Sequence, residues 1–198
     1  MRVSHTAFRT ALGMSLALGL ACGGGSPSSP SVPTTAPSTS TSQLIYTDAT
    51  TGTVRLVKNT SLSTPTHLVM DVIGTAAATL SAGLFVTLNV EPTVAQWTKV
   101  QAADKALVQN GVVYNLGTGV PILKAKTSGG TLTFVVGQKG YNSAVPTNGV
   151  LARVALDLQS GANPGLVVFN TSASANKLLT DSGTLADITP EIGALKVQ

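Results

Sequence analysis

The stretch GVLARVALDL, residues 149–158, carries the pattern that decides the fold. Apolar side chains occupy all of its even positions: Val150, Ala152, Val154, Leu156 and Leu158. The odd positions include both charged residues of the stretch, Arg153 and Asp157. Because successive side chains of a β-strand point to opposite faces, this alternation predicts a strand with one buried and one solvent-facing side.

The same alternation recurs from residue 44 to the end of the chain. The clearest further runs are 66–73, 84–90 and 131–136, and shorter candidate strands lie at 54–59, 112–116, 122–126, 166–170 and 192–197. Turn-forming pairs such as Asn110-Gly111 and Asn148-Gly149 separate them. Residues 102–109 could instead form one or two helical turns, which Asn110-Gly111 would end at the C-terminal side. About nine short strands predict an all-β antiparallel sandwich of the jelly-roll type.

The composition excludes several classes of protein. Only 10% of the residues are charged, against about 25% in an average globular chain, and 43% are hydrophobic. Such a chain is too apolar for a disordered protein and too poor in charge for a helical bundle. When Arg2 and Arg9 are set aside with a leader, ten Lys and Arg remain against eight Asp and Glu. A net charge of +2 on the remainder predicts no nucleic-acid partner.

The N-terminus has the zones of a secretory signal peptide. Arg2 and Arg9 form a positive region, and residues 11–21, ALGMSLALGLA, form an apolar run. At about 1.5 Å per helical residue, that run is too short to cross a hydrocarbon core about 30 Å thick. It ends at Cys22, the one cysteine of the chain.

Leu20-Ala21-Cys22 resembles the lipobox of bacterial lipoproteins, with Gly19 as a departure from the preferred leucine. The resemblance implies a lipidated Cys22 as the first mature residue and attachment to a membrane through its acyl chains. Gly23 is not acidic, which favours the outer membrane. The alternative is an ordinary signal peptide with an incidental Cys22. We therefore predict a signal peptide at 1–21, a disordered Gly/Ser/Pro/Thr-rich tether at 22–43 and one folded domain at 44–198.

The order of features from 53 to 197 resembles the cohesin-like and carbohydrate-binding-module group of sandwiches. The resemblance lies in the apolar strand 84–90, the extended segment 91–100, the glycine-led strand 148–158, the apolar GLVVF at 165–169 and the closing strand 192–197. It implies a non-catalytic binding module, with either a dockerin-like protein or a polysaccharide as its partner.

The residues predict no enzyme. His67 and Asp71 share a strand face but lie about 13 Å apart at about 3.3 Å per residue, and residues 44–198 contain neither a cysteine nor a Gly-Xaa-Ser-Xaa-Gly elbow. We interpret His67 as a solvent-facing strand residue. The two glutamates, Glu91 and Glu191, are far apart in sequence and do not suggest a glycosidase pair. A small hydrolase with His67 as base stays open as an alternative.

No metal or cofactor is predicted, because residues 44–198 contain one histidine and no strict calcium-binding loop. A structural calcium between Asp181 and Asp187 is the one alternative.

Exposed aromatic rings are the first candidates for ligand contacts, since sugars stack on them. Trp97, Tyr141 and Phe85 are the rings we single out, with core packing as the alternative for Trp97. A protein partner would instead contact a flat strand face, for which we choose the face that bears Arg153 and Asp157. A purely structural envelope protein is the remaining alternative.

Overall fold

Alternating apolar residues form β-strands along the whole described part of the chain, which in this computed structural model is residues 42–114, 122–138 and 144–198. These ranges contain thirteen strands: β1 (Leu44–Thr47), β2 (Val54–Lys58), β3 (His67–Val90), β4 (Ala95–Thr98), β5 (Gln109–Asn110), β6 (Ile122–Ser128), β7 (Thr131–Gly137), β8 (Val145–Leu158), β9 (Gly165–Val167), β10 (Phe169–Thr171), β11 (Lys177–Thr180), β12 (Leu185–Asp187) and β13 (Ala194–Val197). A short 3-10 turn covers Ala173–Ala175.

No helix within these ranges is long and apolar enough to cross a membrane. The predicted leader at 1–21, Cys22 and the tether up to residue 41 lie outside the described residues.

The 24-residue strand β3 takes part in both layers of the sandwich. Its first half pairs with β2 and β8, and β8 also pairs with β4 and β5; we call this group the first layer. The register between β3 and β8 shifts between Ala76 and Leu80. Beyond that shift, the second half of β3 pairs with β7, β10 and β11, with β6 and β12 outside them; this group is the second layer.

The core lies between the inward faces of these layers. Leu68, Met70 and Val72 come from the first half of β3, and Val86 and Leu88 come from its second half. All five side chains are fully buried and belong to one hydrophobic cluster. Both halves of β3 therefore contribute to one hydrophobic core, and the predicted all-β sandwich is confirmed.

A separate three-stranded sheet, in the order β1-β13-β9, packs its apolar side chains into the same cluster. Tyr46 of β1 ties this sheet to its neighbours, because its hydroxyl donates to the carbonyl of Leu56 (3.2 Å) and accepts from the amide of Gly193 (2.7 Å). Gln43 and Gln198 exchange two backbone hydrogen bonds, so the two ends of the domain lie side by side.

Four local predictions were wrong. The run 166–170 is two strands, because β9 pairs with β13 and β10 pairs with β3. Residues 112–114 form bends rather than a strand, and 115–116 lie outside the described residues. Residues 102–108 form turns and bends and not a helix. Asn148-Gly149 lies inside β8, where Gly149 takes a φ of 121° next to a register shift.

Candidate functional site

The outer face of the first layer carries the charged residues that the sequence singled out, and the structure pairs them with each other. Nε of Arg153 donates to Oδ1 of Asp71 at 2.7 Å, and Asn59 Nδ2 donates to the same carboxylate at 3.1 Å. Nδ1 of His67 lies 2.6 Å from Oδ1 of Asp157. Each of these side chains therefore already has a partner within the domain.

Two chain segments cover part of this face. Val69 and Ala155, which lie on it, are fully buried and form a small cluster with Val100 and Leu62. Leu62 follows β2 and Val100 follows β4, so two connections lie over the strands. Loops thus cover part of the face at Arg153 and Asp157 that we chose for a protein partner, because sequence periodicity does not show which face a loop will cover.

The surroundings of His67 also differ from the prediction. The side chain, which we predicted to face solvent, is 23% exposed and pairs with Asp157 on the neighbouring strand. Its Nε2 lies 3.1 Å from the carbonyl oxygen of Val100. A general base needs a free ring nitrogen within reach of a nucleophile, whereas both nitrogens of His67 face acceptors within the domain.

Trp97 lies in the core, which was one of its two predicted placements. Its ring is 8% exposed and packs against Phe169 at a centroid distance of 6.0 Å. Its Nε1 donates to the carbonyl of Gly130 at 2.8 Å. A ring held in this way does not offer a face to a sugar, so the placement of Trp97 at a binding surface was wrong. Tyr141 lies outside the described residues.

Phe85 is the predicted ring that the structure exposes. It lies on the second half of β3, and 36% of it is accessible on the outer side of the second layer. Its cross-strand neighbours are Val135 on β7 and Lys177 on β11. We call this surface the Phe85 face and define it by the outward residues of β3, β6, β7 and β11: Gly83, Phe85, Thr87, Ile122, Lys124, Lys126, Thr133, Val135, Gly137, Lys177 and Leu179.

A groove with a volume of about 140 Å³ lies on one side of Phe85. Gly83 and Gly137 face each other across β3 and β7 and form its floor. Its rim includes Ile122 and Leu185, which are 42% and 65% exposed. Neither floor residue has a side chain, and a Cβ on Gly137 would lie 2.7 Å from the Cα of Gly83, so β3 and β7 approach each other closely beneath the groove. Glycine within an alternating strand is the sequence signal for such a close approach of two strands, whereas the alternation of apolar residues does not reveal it.

A second groove of about 330 Å³ lies on the other side of Phe85. Lys124 and Lys126 of β6 and Thr133 of β7 line it. Both lysines are exposed, and neither forms an ion pair with a residue in the described ranges. The Phe85 face therefore combines an apolar centre with two exposed lysines that form no ion pair with a described residue.

The described residues do not contain a group of three or more metal-ligating side chains. In the loop between Asp181 and Asp187, Thr180, Ser182 and Thr184 hydrogen-bond to one another, and Asp187 pairs with Lys177. At least one of the two carboxylates that a calcium ion would need is thus engaged by a lysine.

The chain matches no protein-family model and no curated protein. Solved structures do match. A type II cohesin–X-dockerin complex from Acetivibrio cellulolyticus shares 15% identity over 71% of this chain and 94% of that chain, with a TM-score of 0.56. The second type II cohesin module of that organism's cellulosomal adaptor scaffoldin shares 16% over 72% and 95%, with a TM-score of 0.55.

The sixth cohesin of scaffoldin B from the same organism, solved in complex with a dockerin, shares 17% identity over 73% of this chain and 97% of that chain, with a TM-score of 0.51. At these identities the similarity is one of fold. The described domain is therefore a cohesin-like β-sandwich.

Proposed function

We propose that this chain is a non-catalytic, lipid-anchored module of a bacterial envelope that docks a protein partner through the Phe85 face. The observation that carries the proposal is the apolar groove beside Phe85. Exposed aromatic and aliphatic side chains around a preformed depression are the usual anchors of protein interfaces. The cohesin-like fold supports a protein partner, since two of the similar cohesins were solved as complexes with dockerins.

The first layer supports the proposal by contrast. Arg153 and His67 are satisfied by Asp71 and Asp157, and loops cover the strands beside them. A polysaccharide partner is less well supported, because Trp97 is buried and Phe85 is the one predicted ring that the described residues expose.

Site-specific photo-crosslinking in the cells that make the protein tests this proposal. A photoreactive phenylalanine replaces Thr87 or Thr133 on the Phe85 face, or Gln96, which is exposed on the first layer. We expect one and the same protein to be crosslinked from Thr87 and Thr133 but not from Gln96. Phe85→Asp should abolish the crosslink. The matched control is Leu166→Asp, which changes an 84% exposed leucine on the three-stranded sheet and should leave it intact.

Crosslinks of equal yield from Gln96, or crosslinks that survive Phe85→Asp, would show that docking does not use this face. Sugar binding by purified protein without any protein crosslink would favour the polysaccharide alternative.

The anchor is tested separately. We expect clickable palmitate to label the wild-type chain and not Cys22→Ser, and the labelled protein to fractionate with the outer membrane. Equal label in the two proteins would refute lipidation at Cys22. Label in the inner-membrane fraction alone would refute the location and leave the lipid anchor standing.

A further inference from the structure

We propose that a groove beside β9 binds the free amino terminus of an extended peptide, which pairs with the backbone of Leu166 and places its ammonium group on Glu91. The site lies outside the Phe85 face, and the inference does not depend on docking there. An unpaired strand edge, a groove that is closed at one end and a carboxylate that forms no ion pair with a described residue support it.

The unpaired edge belongs to β9, which ends the strand order β1-β13-β9. In an antiparallel ladder, hydrogen-bonded pairs alternate with pairs that are not hydrogen-bonded. Gln43 and Gln198 exchange both backbone hydrogen bonds, so Gln198 faces β1 and Val197, the residue before it, faces β9. The partner of Val197 on β9 is Gly165. The amide and the carbonyl of Leu166, the next residue, therefore point away from β13.

One end of this edge is closed by Glu91. The carbonyl of Val168 accepts a hydrogen bond from the amide of Glu91 at 3.1 Å, which also shows that every second residue here points away from β13. Glu91 thus occupies the edge beside Val168, while the edge beside Leu166 stays open. On the other side of Leu166, Pro164 has no amide hydrogen. A strand added here pairs over a short stretch and must end where Glu91 begins.

The space beside Leu166 is a groove with a volume of about 350 Å³. Residues 161–167 form one wall, and Glu91, Thr93 and Val94 form the other. Backbone hydrogen bonds hold the second wall in place, since Glu91 donates to Val168 and the carbonyl of Val94 accepts from Gln159 at 2.8 Å. Sites for small ligands have volumes of about 300–1,000 Å³. The groove therefore has room for the first few residues of a peptide and not for a folded element.

Charge decides which end of the peptide enters. A strand antiparallel to β9 has its amino terminus at the Val168 end, where Glu91 lies. Oε1 of Glu91 accepts from Oγ1 of Thr93 at 2.9 Å, and no described lysine or arginine forms an ion pair with this carboxylate. Lys196, the cross-strand neighbour of Leu166, lies on the side of β9 away from the groove. An ammonium group gains a charge-assisted hydrogen bond here, whereas a carboxyl terminus is repelled.

The side chain of Leu166 adds an apolar contact next to the open edge. It is 84% exposed, more than any other large apolar residue of the described ranges, and Val168 is 62% exposed. Residues two apart on a strand share a face, so the two side chains lie on the same side. An added strand places a side chain of its own directly beside Leu166 and removes apolar surface from water.

Three synthetic peptides with the sequence Ala-Val-Thr-Val-Thr and an amidated carboxyl end serve as probes for the full chain. The first has a free amino terminus, and the second is acetylated there. The third keeps the free amine and carries an N-methyl group on its second residue, whose amide would donate to the carbonyl of Leu166. Calorimetry measures the Kd of each peptide, and the amide resonances of isotope-labelled protein show where it binds.

We expect the free peptide to bind and to shift the amide resonance of Leu166. Acetylation should weaken binding about tenfold or more, and N-methylation about fivefold or more, since each removes a hydrogen bond. Glu91→Gln should weaken the free peptide about tenfold and leave the acetylated peptide unchanged. Glu191→Gln makes the same substitution at an exposed glutamate outside the groove and should change the Kd by less than about twofold.

Two substitutions of Leu166 separate its backbone from its side chain. Leu166→Pro removes the amide hydrogen at the open edge, where no bond to β13 is lost, and Leu166→Ala removes most of the side chain. Leu166→Pro should weaken the free peptide more than Leu166→Ala does. Thermal unfolding of each variant shows whether it is folded, and the N-methylated peptide tests the same pairing on unaltered protein.

Equal binding of the free and acetylated peptides, or equal weakening by Glu91→Gln and Glu191→Gln, would overturn the amine site. Equal binding of the N-methylated and free peptides would overturn the strand pairing, and absence of binding would overturn both. Phe85→Asp, which tests docking on the Phe85 face, should leave the Kd of the free peptide unchanged. Loss of peptide binding in that variant would place the peptide on the Phe85 face and overturn the groove.

Discussion

Nδ1 of His67 lies 2.6 Å from Oδ1 of Asp157, although the two residues are 90 positions apart in the chain. The other ring nitrogen, Nε2, lies 3.1 Å from the carbonyl oxygen of Val100. One side chain thus links β3, β8 and the connection that follows β4. The imidazole holds that connection against the first layer, where Val100 packs on Val69 and Ala155.

The first prediction follows from this link. His67→Ala should lower the free energy of unfolding by about 1 kcal/mol, because it removes the polar contacts of the imidazole with Asp157 and Val100 from a half-buried site. It should also speed amide hydrogen exchange in residues 99–104 more than elsewhere, since the connection loses its attachment. Lys99→Ala is the control, because it changes an exposed side chain of the same connection. Unchanged exchange in 99–104 would mean that Val100 alone holds the connection.

The second prediction concerns stability at high pH. Burial raises the pKa of Tyr46 and of Tyr114 from 10.0 to about 12. Above pH 10 the unfolded chain releases these protons while the folded chain keeps them. Each tyrosine therefore stabilises the folded protein fully below pH 10. As the pH rises from 10 towards 12, the free energy of unfolding falls by about 2–3 kcal/mol for each tyrosine.

Urea unfolding of wild type, Tyr46→Phe and Tyr114→Phe at pH 8, 10 and 11 measures this effect. At pH 8 each variant should be less stable by about 1–3 kcal/mol, because buried partners such as Leu56 O and Ser81 Oγ lose a hydrogen bond. Between pH 10 and 11 each variant should lose less stability than wild type. Parallel losses in all three proteins would contradict a raised tyrosine pKa.

The third prediction concerns Trp97, the single tryptophan of the chain. Its emission should be poorly quenched by iodide in the folded protein and well quenched in urea, and soluble glycans should not shift it. Trp97→Phe should lower the free energy of unfolding by about 2 kcal/mol, because it leaves a small cavity and an unpaired carbonyl at Gly130. Phe85→Leu, which changes an exposed ring, should lower the free energy of unfolding by well under half of the amount expected for Trp97→Phe. Efficient quenching in the folded state would place the indole at the surface.

The fourth prediction compares two adjacent glycines in the turn between β6 and β7. A Cβ on Gly130 would lie 1.9 Å from the carbonyl oxygen of Val90, whereas a Cβ on Gly129 would meet nothing within 4 Å. Gly129 instead has a φ of 56°. Because this backbone conformation is unfavourable for alanine, Gly129→Ala should lower the free energy of unfolding by about 1–2 kcal/mol. Gly130→Ala should lower the free energy of unfolding by about 3 kcal/mol or more, because it also displaces the carbonyl that accepts the hydrogen bond of the Trp97 indole.

Chemical unfolding and Trp97 emission report on both glycine variants. Gly130→Ala should change the native emission, and Gly129→Ala should not. Equal costs, or an unchanged emission spectrum in Gly130→Ala, would show that the turn can shift without disturbing Trp97.

Periodicity predicted strands well where both neighbours of a strand are regular. The runs 84–90 and 131–136 lie within β3 and β7, which pair without a shift from Gly83 to Asn89. It failed where pairing changes partner or register. Leu151 occupies an odd, nominally outward position of the decisive stretch, yet it is fully buried. A register shift between Val72 and Ile73 of β3 adds a residue to β8 at this point and reverses the side on which Leu151 lies.

The sequence by itself determined the all-β class and the outward position of Phe85, because these depend on residue order over a few neighbours, whereas the leader with Cys22 stays a prediction. Only the tertiary structure decided that Asp157 pairs with His67, that Trp97 is buried and that Gly83 faces Gly137. Each of these three features depends on residues from distant parts of the chain. A local pattern specifies which side of a strand is apolar, but strand pairing and loop placement decide what covers that side.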